Sequence, residues 1–318
     1  VAGLRCRPAA AGAGCLWQPR ASFRPDQRPD RRTGHRDLQP MTKTRVLAAL
    51  IMAPLAIAAI LLLPTQWLAA AAAAVLLIGL WEWLKLAGIE DTLARTVLLV
   101  LNLLLMVLLV WADGSTLVLF QITTLAGVAW WLAALAWLRF FNFGAQPTAP
   151  SRIVKMLAGT LAIVPAWAAL VLIHAGGDPP GKQGHLWLLA ALALVWAADS
   201  GAYFAGRHFG KHKLAPRISP NKTWEGLFGG LLAGVAVALG LGWLAGIDIA
   251  HLPGLLITSV VAVFASVLGD LFESLIKRHA GAKDSGNLIP GHGGVLDRVD
   301  GVLAAVPVFA LGKEIFGF

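Results

Sequence analysis

Cysteine is nearly absent from this 318-residue chain, since Cys6 and Cys15 both lie in the first forty residues. The rest of the chain can therefore carry neither a disulfide framework nor a thiolate metal site. Charged residues are also scarce, at 14% against 58% hydrophobic residues, and the mean hydropathy is +0.71. This composition excludes a soluble domain of this size and predicts a membrane protein that crosses the bilayer several times.

The net charge is +9, which by itself would be compatible with nucleic-acid binding. Nucleic-acid binding would need a folded basic module outside the membrane, and the apolar segments leave no room for one. In a membrane protein, cytoplasmic loops rich in lysine and arginine explain the same excess. We therefore expect no nucleic-acid partner.

Residues 1–40 differ in composition from the rest, with eight arginines, five prolines and little apolar periodicity. Such a segment cannot bury enough apolar surface to order itself, so we predict a disordered basic extension. Met41 is followed by Thr-Lys-Thr-Arg and an apolar run, and we interpret residues 1–40 as an extension upstream of the natural start. The alternative is a basic tail on the membrane surface. The membrane-embedded domain is expected to span residues 41–318.

From Val46 onward the chain contains apolar segments of roughly 17–23 residues, each long enough to cross about 30 Å of hydrocarbon as a helix. The sequence therefore predicts an all-α, polytopic membrane protein with about nine transmembrane helices. The predicted spans are 46–63, 67–84, 96–112, 116–138, 153–175, 185–206, 224–246, 250–272 and 299–318.

Lysines and arginines are distributed unevenly between the two sides of these spans. If the residues after Met41 are inside, the outer loops carry only Lys182, with Lys313 near the outer end of the last span. The positive-inside rule then predicts an inward N-terminus and an outward C-terminus. The inner side carries Lys43, Arg45, Lys85, Arg95, Arg139, Arg152, Lys155, Arg207, Lys211, Lys213, Arg217, Lys222, Lys277, Arg278, Lys283 and Arg298.

Two further patterns concern packing. In the seventh span, Gly226, Gly230 and Gly234 form overlapping GxxxG pairs, which permit close contact between helices. Tryptophans cluster near the ends of the spans, which is typical of aromatic belts at the membrane surface. These are Trp81, Trp83, Trp111, Trp137, Trp187 and Trp243.

The stretch from Asp270 to Asp300 is a polar island between apolar segments, and charge placed against membrane helices usually serves function. Asp297 and Asp300 are three residues apart at the start of a helix, and Asp270 closes the preceding span. Three carboxylates at one depth favour a hard divalent cation, Mg²⁺ before Zn²⁺. Alternatively, Asp297 and Asp300 only complement the dipole of the helix N-terminus.

Basic residues and glycines accompany these acids. Lys277, Arg278 and Lys283 could be ordinary positive-inside charges. Next to the run Gly291-His292-Gly293-Gly294, however, they favour binding of a polyphosphate, because glycines let backbone N–H groups approach phosphate oxygens. Acids for a metal and bases for phosphate together indicate phosphoryl or nucleotidyl transfer. His292 alone is a poor zinc ligand, with no cysteine and no H-E-x-x-H pattern nearby.

Two more polar clusters fall on the predicted inner side. Asp199 lies inside an apolar span, where a carboxylate is costly; it is either a structural partner for a base or part of a site, and we favour the site. In the block 217–226, Thr223 and Glu225 could cap the following helix and complement its dipole, or the block could bind a ligand.

At these residues the chain resembles the phosphatidate cytidylyltransferase (CDP-diacylglycerol synthase) family. The resemblance rests on Ser274-Leu-Ile-Lys277-Arg278, on Lys283-Asp284 and on the run from Pro290 to Asp300. The blocks at Asp199 and at Ser219-Pro-Asn-Lys-Thr-Trp-Glu-Gly are also similar, with Asn221 at a position where lysine is frequent. The resemblance extends from Met41 to Phe318.

The resemblance implies transfer of a cytidylyl group from CTP to phosphatidic acid in the cell inner membrane, with the active site facing the cytoplasm. It also implies a homodimer and Mg²⁺ as cofactor, and it leaves room for a second cation. The catalytic part is expected within 185–318. Catalytic roles fall to Asp270, Asp297, Asp300, Lys283 and Arg298, with the three aspartates as metal ligands. Substrate-binding roles fall to Lys277, Arg278, Asp284, His292, Gly293, Gly294, Asp199, Ser219, Asn221, Lys222, Thr223 and Glu225.

Two other functions use similar parts. A CTP-dependent membrane lipid kinase of the polyprenol or phytol type would attack the γ-phosphorus instead of the α-phosphorus. A transporter for a phosphorylated solute would also place charge between helices, but it needs access from both sides. The predicted outer loops are nearly bare of charge, which disfavours the transporter.

Overall fold

The computed structural model describes residues 52–114, 116–176, 182–286, 288 and 293–318. The extension predicted over 1–40 and the beginning of the first predicted span lie outside the described residues. His292 lies outside them as well.

The described residues form eight long α-helices, one shorter helix and a two-stranded β-hairpin. The helices are α1 (Met52–Leu62), α2 (Thr65–Leu86), α3 (Thr92–Asp113), α4 (Val118–Arg139), α5 (Ala149–Ala175), α6 (Lys182–Phe209), α7 (Trp224–Leu244), α8 (Leu252–His279) and α9 (Leu296–Phe316). The antiparallel strands β1 (Lys213–Ala215) and β2 (Ser219–Thr223) connect α6 to α7. A 3₁₀ turn at Ile249–His251 precedes α8.

Seven of these helices, α2 to α8, are long and apolar enough to cross a membrane. The predicted class, an all-α polytopic membrane protein, is therefore confirmed at that level. The described part of α1 is shorter, and α9 carries charge at both ends. The count of nine spans and the orientation stay predictions.

The helix α8 is longer at its polar end than the sequence predicted. It continues past residue 272 to His279 and stops at Ala280 and Gly281, where Gly281 adopts φ +66°. Lysine and arginine are good helix formers, and their long side chains reach the membrane surface from inside a helix. Asp270 therefore lies within α8 and does not close it.

The centre of the bundle is formed by α5 and α9. From Ala162 to Ile173 every residue of α5 is buried, as are most residues of α9 between Gly301 and Ala310. Pro165 fits inside α5 because Gly127 of α4 faces it, where any Cβ would collide with the proline ring. By contrast, α3 exposes most of its leucines, as expected of a helix that faces lipid.

The glycines of α7 form a close contact with α6, which confirms the packing predicted from the GxxxG pairs. A Cβ at Gly230 would lie 2.7 Å from the carbonyl oxygen of Ala198, and one at Gly234 would lie 3.0 Å from that of Leu194. The two backbones thus touch along a face without side chains. This contact fixes α6, which carries Asp199, against the helix that follows β2.

The predicted tryptophan belt is only partly correct. Trp111 and Trp243 are exposed, at 81% and 69%, as a belt requires. Trp83, Trp137 and Trp187 are buried instead. Trp83 and Trp137 pack around the ring of Phe272, at centroid distances of 6.0 and 5.3 Å. Position near a helix end cannot distinguish the two uses of tryptophan, because each end also borders the core.

Candidate active site

Asp270 and Asp300 are brought together where α8 and α9 cross. Gly269 lies against the backbone carbonyl of Asp300, and a Cβ there would collide with it. The two helices are therefore in backbone contact at this depth. The carboxyl group of Asp300 is close enough to interact electrostatically with those of Asp270, Glu273 and Asp199. Its Oδ1 accepts the N–H of Gly301 at 2.7 Å.

The hairpin supplies a base to this acidic cluster. Lys222 Nζ of β2 lies 2.5 Å from Asp270 Oδ2, and Ser274 Oγ donates to Asp270 Oδ1 at 3.3 Å. Asp199 of α6 interacts electrostatically with Asp270 and with the bases Lys222 and Arg298. Residues from α6, β2, α8 and α9 thus form one charged cluster, and Asp199 is part of this cluster.

Asp297 belongs to a second, neighbouring cluster. Its Oδ1 accepts from Lys277 Nζ at 2.8 Å, and the same ammonium lies 2.6 Å from Glu273 Oε2. Glu273 is almost fully buried, with 1% of its surface exposed. Lys277 therefore bridges two carboxylates, one on its own helix and one at the start of α9. A buried carboxylate needs such a partner, since an unpaired charge there is strongly destabilising.

The backbone around Gly293 completes the environment of Asp297. Its Oδ2 accepts the N–H groups of Gly294 at 2.8 Å and of Ser285 at 3.1 Å. Gly293 has φ +82°, and a Cβ there would lie 2.7 Å from Asp297 Oδ2, so only glycine fits this turn. Burial disfavours the charged carboxylate, but the hydrogen bonds from Lys277 and Gly294 outweigh it and lower the pKa of Asp297 to about 2.

These contacts test how well the predicted metal ligands fit a cation. Among the residues that the structure describes, no three acids, histidines or cysteines converge as a ready metal site. Asp270 and Asp300 are adjacent and offer carboxylate oxygens of the kind that Mg²⁺ prefers. Asp297 does not fit in this arrangement, because Lys277, Ser285 and Gly294 already occupy both of its oxygens. Although Asp297 and Asp300 are only three residues apart on α9, Asp297 contacts Lys277 whereas Asp300 interacts with Asp270 and Asp199.

The block 217–226 divides between structural and site contacts. Thr223 Oγ1 accepts the N–H of Gly226 at 3.1 Å and caps α7. Glu225 accepts from the backbone N–H and the ring of His212, at 3.2 and 2.7 Å. Both contacts match the structural alternative. Lys222 instead reaches Asp270, while Ser219 and Asn221 lie in β2 beside it.

The remaining predicted residues lie at the same end of the bundle. Lys283 and Asp284 are exposed after the end of α8, and Arg298 is exposed in the first turn of α9. Arg278 donates from Nε to the carbonyl of Ile218 at 3.2 Å, which ties α8 to the hairpin. The roles of these residues in binding and catalysis stay predictions.

Sequence reasoning missed two acids that the structure places here. Glu273 holds Lys277, as described above. Glu82 of α2 contacts Ser285 and Leu296, which are more than 200 residues away from it in sequence. The rule that acids inside apolar spans are functional would have found Glu82, since it lies in the predicted span 67–84.

The model of the Cytidylyltransferase family matches residues 43–316. The chain belongs to this family. A phosphatidate cytidylyltransferase of Haemophilus influenzae is 37% identical over 283 residues, covering 85% of this chain and 98% of the relative. One of Pseudomonas aeruginosa is 40% identical over 275 residues, covering 85% of this chain and 96% of the relative.

A third relative matches a shorter part of the chain at higher identity. A phosphatidate cytidylyltransferase of Bacillus subtilis is 48% identical over 126 residues, which is 40% of this chain and 46% of the relative. Family membership confirms the resemblance seen in the sequence. The prediction of an enzyme of the cytidylyltransferase type is likewise confirmed.

Proposed function

We propose that this protein transfers a cytidylyl group from CTP to phosphatidic acid, forming CDP-diacylglycerol and pyrophosphate for phospholipid biosynthesis. The observation that carries the proposal is the paired clusters of acids and bases at one end of the bundle, where Lys222 meets Asp270 and Lys277 meets Asp297. Curated relatives that cover 85% of the chain carry the corresponding name.

The reaction is an in-line displacement at the α-phosphorus of CTP. An oxygen of the phosphatidate phosphate forms the new bond to phosphorus, and the bond to the β-phosphate oxygen breaks and releases pyrophosphate. The attacking phosphate is already ionised at neutral pH, so the step needs no strong general base. Its main difficulty is repulsion between two anions, which positive charge must offset.

The basic side chains divide this work. Lys283 and Arg298 are exposed next to the clusters and would screen the negative charge of the two substrates. Lys222 Nζ lies 2.5 Å from Asp270 Oδ2 and would exchange this partner for a phosphate oxygen when substrate binds. Lys277 and Arg278 are committed to Asp297 and to the hairpin, so they would orient the site. Asp284, His292, Gly293 and Gly294 are proposed to line the substrate site.

Mg²⁺ is the proposed cofactor. Asp270 and Asp300 would hold it, with Asp199 next to them. When bound, it would neutralise charge on phosphate oxygens. A second cation, if used, would share the same acids.

The proposed placement is a multi-pass protein of the cell inner membrane with nine spans, an inward N-terminus, an outward C-terminus and a cytoplasmic active site. Lysines and arginines lie in the connections after α6 and α8 and in the helix ends that border the connections after α2 and α4, which supports this orientation. The described site residues come from α6 to α9, which supports a catalytic part within 185–318. A homodimer rests on family membership alone, and crosslinking in membranes tests it.

Labelled CTP tests the reaction directly. Purified protein in detergent with phosphatidic acid and Mg²⁺ should move the α-phosphate label of CTP into lipid and release pyrophosphate. Omission of phosphatidic acid is the matched control and should abolish both signals. Label in lipid from the γ-phosphate would instead identify a lipid kinase, and no transfer of either label would overturn the proposal.

A further inference from the structure

Glu82 is a buried acid in the first half of the chain that contacts Ser285 and Leu296 in the second half. It lies near the end of α2 with 4% of its surface exposed. Its Oε2 accepts from Ser285 Oγ at 3.1 Å and from the backbone N–H of Leu296 at 2.8 Å. One carboxylate oxygen thus joins the residues after α8 to the first residue of α9.

The surrounding backbone is shaped around this carboxylate. A Cβ built at Gly286 would collide with Glu82 Oε1, and one built at Gly294 would collide with Glu82 Oε2 and with Ser285 Oγ. Because Gly286 and Gly294 have no side chains, they leave the space that the Glu82 carboxylate fills. Ser285 and Leu296 are both more than 200 residues from Glu82 in sequence, yet both donate to its carboxylate. The fold therefore holds this carboxylate in a defined position.

The carboxylate also caps α9 from outside that helix. Val295, at the N-cap position, makes no side-chain cap hydrogen bond, so the N–H of Leu296 depends on Glu82. A negative charge at a helix N-terminus is favoured by the helix dipole, and its hydrogen bonds are strong because it is charged. The direction and register of the first turn of α9 follow from this contact; that turn carries Asp297, and Asp300 follows directly after it.

We propose that Glu82 is a positioning residue for the transferase reaction, which sets the start of α9 and with it both aspartates. This inference rests on the proposed function. It extends the site beyond residues 185–318 to α2. The carboxylate is buried against backbone, so we expect it to act on turnover through α9 and to leave nucleotide affinity nearly unchanged.

The chain offers a matched control for this idea. Asp113 is also a buried carboxylate that accepts backbone N–H groups at a helix start, those of Leu117 at 2.6 Å and Leu119 at 2.7 Å. It serves α4, away from the site. Glu82→Gln and Asp113→Asn both replace a carboxylate by an amide. Glutamine can keep both bonds of Glu82 on its one oxygen, whereas asparagine must lose one bond of Asp113, so a purely structural effect should be at least as large at Asp113.

The experiment measures kcat, KM for CTP and thermal unfolding of both variants in detergent. We expect Glu82→Gln to lower kcat per folded protein by about tenfold or more while KM changes less than about threefold. Asp113→Asn should keep the kcat of the unchanged protein. Equal kcat in Glu82→Gln and the unchanged protein would overturn the inference. If Glu82→Gln is not recovered folded, Ser285→Ala is measured instead. It removes one of the two hydrogen bonds to the Glu82 carboxylate, so kcat should fall, and an unchanged kcat would overturn the inference.

A second measurement does not depend on activity. Trypsin cleavage after the exposed Lys283 should be faster in Glu82→Gln than in Asp113→Asn, because Ser285 Oγ then donates to a neutral amide oxygen instead of a charged carboxylate. Equal cleavage rates would contradict the inference even if no activity were found. Inactivity of the unchanged protein would count against the proposed reaction, whereas an active protein with an indifferent Glu82→Gln variant would count against Glu82 alone.

Discussion

Replacing Asp297 by asparagine separates two roles for this residue. As a metal ligand, its loss should raise the Mg²⁺ concentration needed for activity. The structure favours a different role, because both carboxylate oxygens accept hydrogen bonds from the protein. We therefore expect Asp297→Asn to lower turnover while the Mg²⁺ concentration for half-maximal activity stays nearly unchanged.

The expected size follows from the hydrogen bonds that asparagine cannot make. It has one acceptor oxygen, so its NH₂ group must face either Lys277 Nζ or the N–H groups of Gly294 and Ser285. Each lost bond to a charged group costs about 1.5–3 kcal/mol. If asparagine loses two such bonds, the loss is about 3–6 kcal/mol, and about 4 kcal/mol of lost transition-state stabilisation lowers turnover roughly a thousandfold.

The assay is CTP turnover in detergent against Mg²⁺ concentration, with thermal unfolding as the folding control. Asp91→Asn is a matched control, since Asp91 also accepts two backbone N–H groups at a helix start, those of Leu93 and Ala94. Asp270→Asn and Asp300→Asn should shift the Mg²⁺ dependence if they are ligands. A folded Asp297→Asn protein with near-normal turnover would refute the reasoning, and a large shift in its Mg²⁺ dependence would restore Asp297 as a ligand.

Three further predictions test other features. Lys283→Ala should mainly raise KM for the substrates, because an exposed phosphate-screening charge acts in the ground state too; an effect on kcat alone would contradict this. Gly293→Ala forces a side chain into φ +82° and should cost about 1–3 kcal/mol with clear loss of turnover, measured by unfolding and activity. A probe near Lys211 should react from the cytoplasm and a reporter after Phe318 from outside; a C-terminal reporter active only in the cytoplasm would remove one predicted span.

The spans could be predicted because hydropathy is a property of each segment by itself. From α3 to α7, the observed helices lie within about four residues of the prediction. The extra length of α8 and the hairpin of β1 and β2 could not be found this way. Both are polar, and only contacts across the fold, such as Arg278 to Ile218 and Lys222 to Asp270, show why they are ordered.

The candidate site, too, was only partly predictable from the sequence. A one-dimensional motif brought out Asp270, Asp297 and Asp300, and the structure places all three at one end of the bundle. The motif could not show that Asp297 and Asp300 belong to different clusters. Residues three apart on a helix point in directions that differ by about 60°, and only the neighbouring helices decide whether they share partners. Glu82 could have been singled out as an acid inside the predicted span 67–84, but its partners, more than 200 residues away, leave no local spacing that predicts them.

The glycine face between α6 and α7 has a consequence for how this protein tolerates mutation. Lipid tails are as apolar as the helices, so no hydrophobic driving force presses the two together, and their fit depends on close backbone approach. Asp199 and Lys222 keep their spacing only while Gly230 and Gly234 stay without side chains. In a saturation screen for activity, these residues should rank beside the charged ones, although they offer no functional group at all.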